Sequence, residues 1–206
     1  MAAAKWMKIP DRKIIDKTIA ALKANNIDAE FVATGQDAKK RVLALIPKGA
    51  EVMNMSSVTI DTISLAKELN DPKKFDSVRN QFAAMDKKTQ GKEMQRLGAA
   101  PEYTVGSAHA VTQDGKVVIA SNTGSQLPSY AYGSMHVIWV VGAQKIVKDL
   151  DEAMKRIYDY VLPLESERAH KAYGVPGSNV SKMLIVNKEV QTGRIRLIIV
   201  GEPLGF

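Results

Sequence analysis

Apolar positions along this chain change period repeatedly, and the changes mark out its elements. From Asp11 to Ala24 the residues Ile14, Ile15, Thr18, Ile19 and Leu22 recur at helical spacing with Asp11 placed to cap, which predicts an amphipathic helix. Asn25-Asn26 ends it, Ala29 to Ala33 reads as a short strand, and Asp37 to Ile46 is helical up to Pro47-Lys48-Gly49. Glu51 to Met55 reads as a second strand and Ser56 to Thr59 as a loop. Ile60 to Leu69 then reads as a helix offering Ile60, Ile63, Leu65 and Ala66 to a sheet face. After a turn around Pro72, Asp76 to Leu97 is polar and lysine-rich, which predicts an exposed helix.

The second half is richer in strands. Tyr103 to Thr112 and Val117 to Ala120 flank Gln113-Asp114-Gly115-Lys116, and Asp-Gly tolerates the positive φ of a tight turn, so a β-hairpin is predicted. His136 to Val141 is apolar throughout, as a central parallel strand requires. Asp149 to Val161 is helical with Leu150, Ala153, Met154 and Ile157 on one side, and Met183 to Val186 and Ile195 to Val200 are expected to close the sheet. This alternation predicts the α/β class: one domain over residues 1–206, three layers, a mostly parallel sheet and an attached β-hairpin.

Composition narrows the chemistry. With 206 residues, 45% hydrophobic, the chain can bury the core of one domain. A net charge of +7 favours anions in general: phosphorylated metabolites, nucleic acid or acidic partners. The basic residues are scattered, as at Lys39-Lys40-Arg41, Lys73-Lys74 and Lys87-Lys88, with no tract of five and no interleaved aromatics, so nucleic acid is not the favoured partner. There is no cysteine, which removes disulfides, thiolate zinc, iron–sulfur ligation and cysteine nucleophiles, and makes a reducing cytoplasm the expected location. The start, MAAAKWMKIPDRK, lacks a secretory apolar core, and no window approaches the roughly 18 apolar residues of a membrane span, so neither export nor membrane insertion is predicted.

Candidate chemistry gathers at two loops. Ser56, Ser57 and Thr59 lie where a strand end meets a helix start, a place where unpaired amides and hydroxyls favour phosphate or carboxylate; the alternative is that Ser57 or a neighbour only caps the helix. Asp61, in the first turn, either interacts with the helix dipole or helps hold a magnesium ion. The loop Ser121 to Ser125 supplies Asn122, Thr123 and Ser125 as donors and acceptors and Gly124 for close approach, and it reads equally as a turn without a ligand. Ligands in open α/β sheets collect at the carboxyl ends of strands, so two such loops favour a shared small anionic ligand.

Among single residues, His109 is the candidate for proton transfer, since histidine titrates near neutral pH, while His136 reads as structural and His170 as a surface residue. No histidine pair has i,i+4 spacing, so no metal site is indicated. Lys145 follows a strand and could neutralise a phosphate or carboxylate, or remain solvated. Arg168 could clamp a carboxylate, or pair with Glu165 or Glu167; those two glutamates face different directions on a helix and form no acid–base dyad. Gly-x-Ser-x-Gly, Walker and dinucleotide fingerprints are absent.

Several stretches together resemble the LUD domain, a lactate-utilisation family that includes LutC- and YkgG-type proteins. They are SSVT before a helix, SAHAVTQDGKVV, the SNTGS loop, HVIWVVGAQKIVKDLDEAMKRI and the closing IIVGEPLGF, with GAQKIV and VGEPLGF the most specific. The resemblance implies a fold similar to the ribose-5-phosphate isomerase, CoA-transferase and 5-formyltetrahydrofolate cyclo-ligase group. It also implies a role in oxidising L-lactate to pyruvate, as a non-redox accessory or ligand-binding subunit beside iron–sulfur partner proteins. Some relatives carry a cysteine-rich segment before the final strands; here AHKAYGVPGSNVSKML has none, so no cofactor is expected to be held through cysteine. The alternative is a stand-alone enzyme acting on a phosphorylated or CoA-linked small metabolite.

Overall fold

The apolar run after Met135 becomes the centre of the molecule. A computed structural model describes residues 5–206; the first four residues, part of the stretch read as lacking a leader, lie outside the described residues. Strand β7 (His136–Gly142) pairs on both sides, with β10 (Ile195–Val200) and with β4 (Tyr103–Gly106). The sheet extends through β1 (Asp28–Val32) at one edge and β2 (Glu51–Asn54) and β3 (Asp76–Ser77) at the other, in the order β1-β10-β7-β4-β2-β3, all parallel. Successive side chains of a strand face opposite ways, so a strand buried on both faces must be apolar at every position. Val137, Trp139, Val141, Leu197 and Ile199 accordingly enter one core, Ile138, Val140, Ile198 and Val200 the other.

Helices cover both faces. Helix α1 (Arg12–Ala24) lays Ile15 and Leu22 on the first core; Asp11 occupies its N-cap position, but its side chain makes no cap bond. Helix α2 (Gly35–Leu45), capped by Thr34 through its bond from the Asp37 amide, puts Ala38 and Val42 into the second core. The helix expected over Ile60–Leu69 is two single turns, α3 (Val58–Thr62) and α4 (Leu65–Leu69), separated where Ser64 takes a left-handed φ of 55°. The stretch expected as one exposed helix over Asp76–Leu97 contains β3, α5 (Val78–Ala83) with Val78 fully buried, and α6 (Lys87–Ala99), whose N-cap Asp86 accepts from Lys88.

The expected hairpin is present but belongs to a second sheet. The stretch Tyr103–Thr112 is not one strand: β4 ends at Gly106, and Ser107 to His109 carry the chain into β5 (Ala110–Thr112). Strand β5 turns at Gly115, whose φ is 84°, into β6 (Val117–Ser121). These strands join β8 (Ile146–Val147) and β9 (Lys182–Val186) in the order β8-β5-β6-β9. So β9 closes this smaller sheet, while β10 lies inside the main one. Val111, Val117 and Ile119 face the core shared with α1; Ala110, Val118 and Ala120 face the helix formed by α7 (Leu150–Arg156), a π-helical turn over Ile157–Val161, and α8 (Leu162–Tyr173).

Two close approaches fix the rest. A second π-helical turn, Ser129–Gly133, carries Tyr130 into the core edge-on to Trp139, with ring centroids 5.4 Å apart. A side chain at Gly106 would meet the Tyr130 hydroxyl, 1.8 Å from an added Cβ. Arg194, nearly buried, donates to the Ser129, Tyr130 and Ser134 carbonyls and pairs with Glu189 at 2.7 Å, so the carbonyls left exposed by the irregular turn are satisfied.

Candidate functional site

At the carboxyl ends of β2, β4, β6 and β7 the chain leaves a cleft of about 610 Å³. Ser56, Ser57 and Thr59 come to it from the loop after β2, Ser107 and His109 from the crossing after β4, Asn122, Thr123 and Ser125 from the loop after β6, and Arg168 from α8. The two loops singled out in the sequence therefore share one rim. A shallower depression of about 390 Å³ around Pro72 and Lys73 has no buried polar side chain aimed into it beyond Ser77, whose hydroxyl is bonded to Asn70.

Lys145 lies at the base. Strand β7 ends at Gly142 and a 3-10 turn, Ala143–Lys145, follows. Gln144 is committed to the C-terminal tail, donating to the Leu204 carbonyl at 3.0 Å and to that of Gly205 at 3.3 Å, and an added Cβ on Gly142 would lie 2.7 Å from the Leu204 amide. The next side chain, Lys145, is 2% exposed and meets the cleft, its Nζ donating to Thr59 Oγ1 at 2.9 Å and Ser107 Oγ at 3.3 Å. Burial, and then the Arg156 guanidinium, push its pKa well below the usual lysine range.

His109 adjoins it. Its Nδ1 accepts the Ala120 amide at 3.1 Å, so the neutral ring carries its proton on Nε2. Burial, followed by Lys145 and Arg156, pushes its pKa down to about 3. The expectation of neutral-pH titration therefore fails: at pH 7 His109 is a fixed hydrogen-bond donor whose other nitrogen is already used.

The residue that sequence reasoning passed over is Arg156. It is fully buried behind His109, donating from Nη1 to the His109 carbonyl at 2.7 Å, while Nε and Nη2 find no hydrogen-bond partner among the described residues. Burial lowers its pKa to about 10, so it stays charged at pH 7. The signal was in the helix: Arg156 lies three after Ala153 and four before Tyr160, on the stripe that faces inward. Neither Lys145 nor Arg156 has a carboxylate within ion-pair distance among the described residues.

The remaining candidates sort by geometry. Ser57 is the N-cap of α3 yet makes no side-chain cap bond, and its hydroxyl lines the cleft; Ser56 Oγ accepts from Arg79 at 3.2 Å. A single-turn α3 supplies little dipole, so the field expected from a helix start comes instead from buried side chains. Thr59 is 1% exposed and donates to the Leu204 carbonyl at 3.1 Å while accepting Lys145, so it acts on the cleft through the lysine. Gly124, with φ 85°, does not line the cleft; an added Cβ would lie 2.6 Å from the Lys182 side chain, so it makes room for that lysine and not for a ligand. Arg168 is held bidentately by Glu165 at 2.6 and 2.7 Å, and Glu167 pairs with Lys171, so the guanidinium is a neutralised rim group. His136 stacks on Tyr103 at 4.5 Å, and His170 bonds the Val175 carbonyl on the surface. Asp61 is exposed and outside the cleft lining, and no three His, Cys, Asp or Glu side chains converge on a metal-binding arrangement among the described residues.

On the surface, Lys39 and Lys74 share Glu68, and Arg41 pairs with Glu30. No helix among the described residues is long and apolar enough to cross a membrane.

Comparison with known proteins agrees with this architecture. No curated protein sequence matches the chain. Among solved structures, a DUF162 family protein from Deinococcus radiodurans is similar in fold, with a TM-score of 0.57 over 94% of this chain and 100% of that one at 10% sequence identity. The model of the LUD domain matches residues 15–200, nearly the whole of the two-sheet body and every candidate residue of the cleft. The chain belongs to the LUD domain family.

Proposed function

We propose that this chain is a lactate-utilisation protein whose cleft binds a small carboxylate, L-lactate or pyruvate, as a non-redox subunit beside iron–sulfur partners that carry the electrons. One observation supports the anion most strongly: Arg156, behind His109 and 5.3 Å from the Tyr160 ring, is a buried cation with no carboxylate partner among the described residues. A charge left unpaired in a protein interior is costly, and a bound anion offsets that cost. The His109 Nε2 proton and the Ser57, Asn122 and Ser125 side chains are the groups available to hold the carboxylate. Among the charged lining residues Arg168 and Glu165 neutralise each other, and Lys87 adds a positive charge at the rim. A cytoplasmic location accompanies this reading.

The second reading, a stand-alone enzyme acting on a phosphorylated or CoA-linked metabolite, draws on size: about 610 Å³ exceeds what lactate fills and lies within the range of larger ligands. Thermal-shift titrations with L-lactate, pyruvate, inorganic phosphate and CoA separate the two. A ligand at a hundred times its Kd raises stability by about 2.7 kcal/mol. Arg156→Met should keep or raise the melting point without ligand, because it removes an unpaired buried charge, and should weaken carboxylate binding about tenfold or more, a loss of about 1.4 kcal/mol. Unchanged affinity in Arg156→Met refutes the assignment of the charge. A response to CoA or phosphate alone favours the second reading, and loss of growth on lactate after deletion, with copurifying iron–sulfur protein, is required by the first.

A further inference from the structure

The hydrogen bonds around Lys145 specify more than a binding contact. Thr59 Oγ1 sends its own proton to the Leu204 carbonyl at 3.1 Å, and Ser107 Oγ sends its proton to the Ala108 carbonyl at 3.4 Å. Both oxygens therefore face Nζ as acceptors. Two acceptors use two N–H groups, the full complement of a neutral amine. A third proton would add a second positive charge beside Arg156 in a 2%-exposed site, with no carboxylate of the described residues within ion-pair distance to offset it. The nitrogen's remaining position, its lone pair in the neutral form, belongs to the side of the cleft that Lys145 lines. The buried direction of its pKa agrees with this arrangement.

We propose that Lys145 is an amine nucleophile that condenses with the carbonyl of a 2-oxo acid in the cleft. The inference rests on the carboxylate-binding reading above, and it adds a covalent step. The Nζ lone pair forms the C–N bond as the carbonyl π pair moves to oxygen, which takes a proton from solvent. The oxygen takes a second proton and leaves as water while the nitrogen lone pair forms the C=N bond, and the nitrogen gives up its two protons to solvent in place of the two the oxygen took, so one amine and one ketone give one imine and one water. No oxidant or reductant is consumed. Burial that keeps a lysine uncharged at neutral pH is the usual way an amine becomes nucleophilic. The carboxylate of the same molecule would lie toward His109 Nε2 and the field of Arg156, leaving its C2 carbonyl to the amine.

The test is reductive trapping. Full-length protein is incubated with pyruvate and sodium cyanoborohydride at pH 6 and pH 8, and the adducts are located by peptide mass mapping, with calorimetric titration of pyruvate alongside. Exposed lysines are protonated at pH 6 and lose reactivity there. Lys145 should be labelled at both pH values, to near one adduct per chain, and Lys145→Met should lose that adduct while keeping the surface background. Pyruvate binding without a Lys145 adduct above the surface lysines overturns the covalent step and leaves the binding reading intact. Neither heat of binding nor adduct overturns both.

Discussion

Thr59→Val is the sharpest probe of the arrangement at the cleft base. Valine keeps the shape of a side chain that is 1% exposed, but it removes the oxygen that accepts from Lys145 at 2.9 Å and donates to Leu204 at 3.1 Å. Leu204 keeps its bond from Gln144 at 3.0 Å, so the tail carbonyl stays satisfied. Lys145 does not: one buried N–H loses its acceptor, at a cost of about 1–3 kcal/mol. The extra methyl returns about 0.8 kcal/mol. The net expectation is about 1 kcal/mol, or roughly 2–4 °C in Tm for a chain of this size. Two controls isolate the cause. Thr59→Ser keeps the hydroxyl and should lose only about 1 kcal/mol of methyl packing. In a Lys145→Met background the orphaned donor is gone, so Thr59→Val should cost close to nothing, and the double-mutant cycle in urea should show a coupling of about 1 kcal/mol or more. Additive effects of the two substitutions would refute the hydrogen-bond account of the lysine.

Two further outcomes follow from other parts of the structure. His109 is held near pKa 3 in the folded state against about 6.5 unfolded, so between those values the unfolded chain binds the proton and the native chain does not. Stability from this group should therefore be complete above about pH 6.5 and fall by about 1 kcal/mol per pH unit as pH drops below it; His109→Asn, which can still accept the Ala120 amide, should flatten that slope in urea midpoints measured from pH 7 to pH 4, and an unchanged slope counts against the buried-histidine assignment. Gly106→Ala drives a methyl into the Tyr130 hydroxyl and should destabilise by about 1–3 kcal/mol, with Gly106→Ala combined with Tyr130→Phe recovering part of the loss; equal melting points for wild type and Gly106→Ala would show that the turn carrying Tyr130 yields freely.

The alternation of strands and helices was readable because its period is local. His136–Gly142 announced itself as a doubly buried strand, and the Asp114-Gly115 turn was visible because positive φ has a composition signature. The partition into two sheets was not visible. Val111 and Val137 are equally good strand residues, and what separates their sheets is pairing between distant segments, such as β5 with β8 and β7 with β10. Ser64, which splits the expected Ile60–Leu69 helix, is an exposed non-glycine residue whose left-handed φ has no composition signature. At the site, loop positions were legible because small polar residues cluster there, whereas the source of charge was not: Arg156 looks like any helical arginine until the sheet in front of it is in place.

The π-helical turn at Ile157–Val161 separates two rotational phases of what would otherwise be one continuous rod, the first presenting Arg156 to the interior and the second presenting Glu165 and Arg168 to the cleft. Regularising that turn without shortening the chain would swing everything beyond it by about 100°, carrying the Glu165–Arg168 pair off the rim. A sequence one residue shorter between those points could run as plain helix and still aim both ends correctly. Length tolerance in this rod is thus concentrated in a single five-residue window.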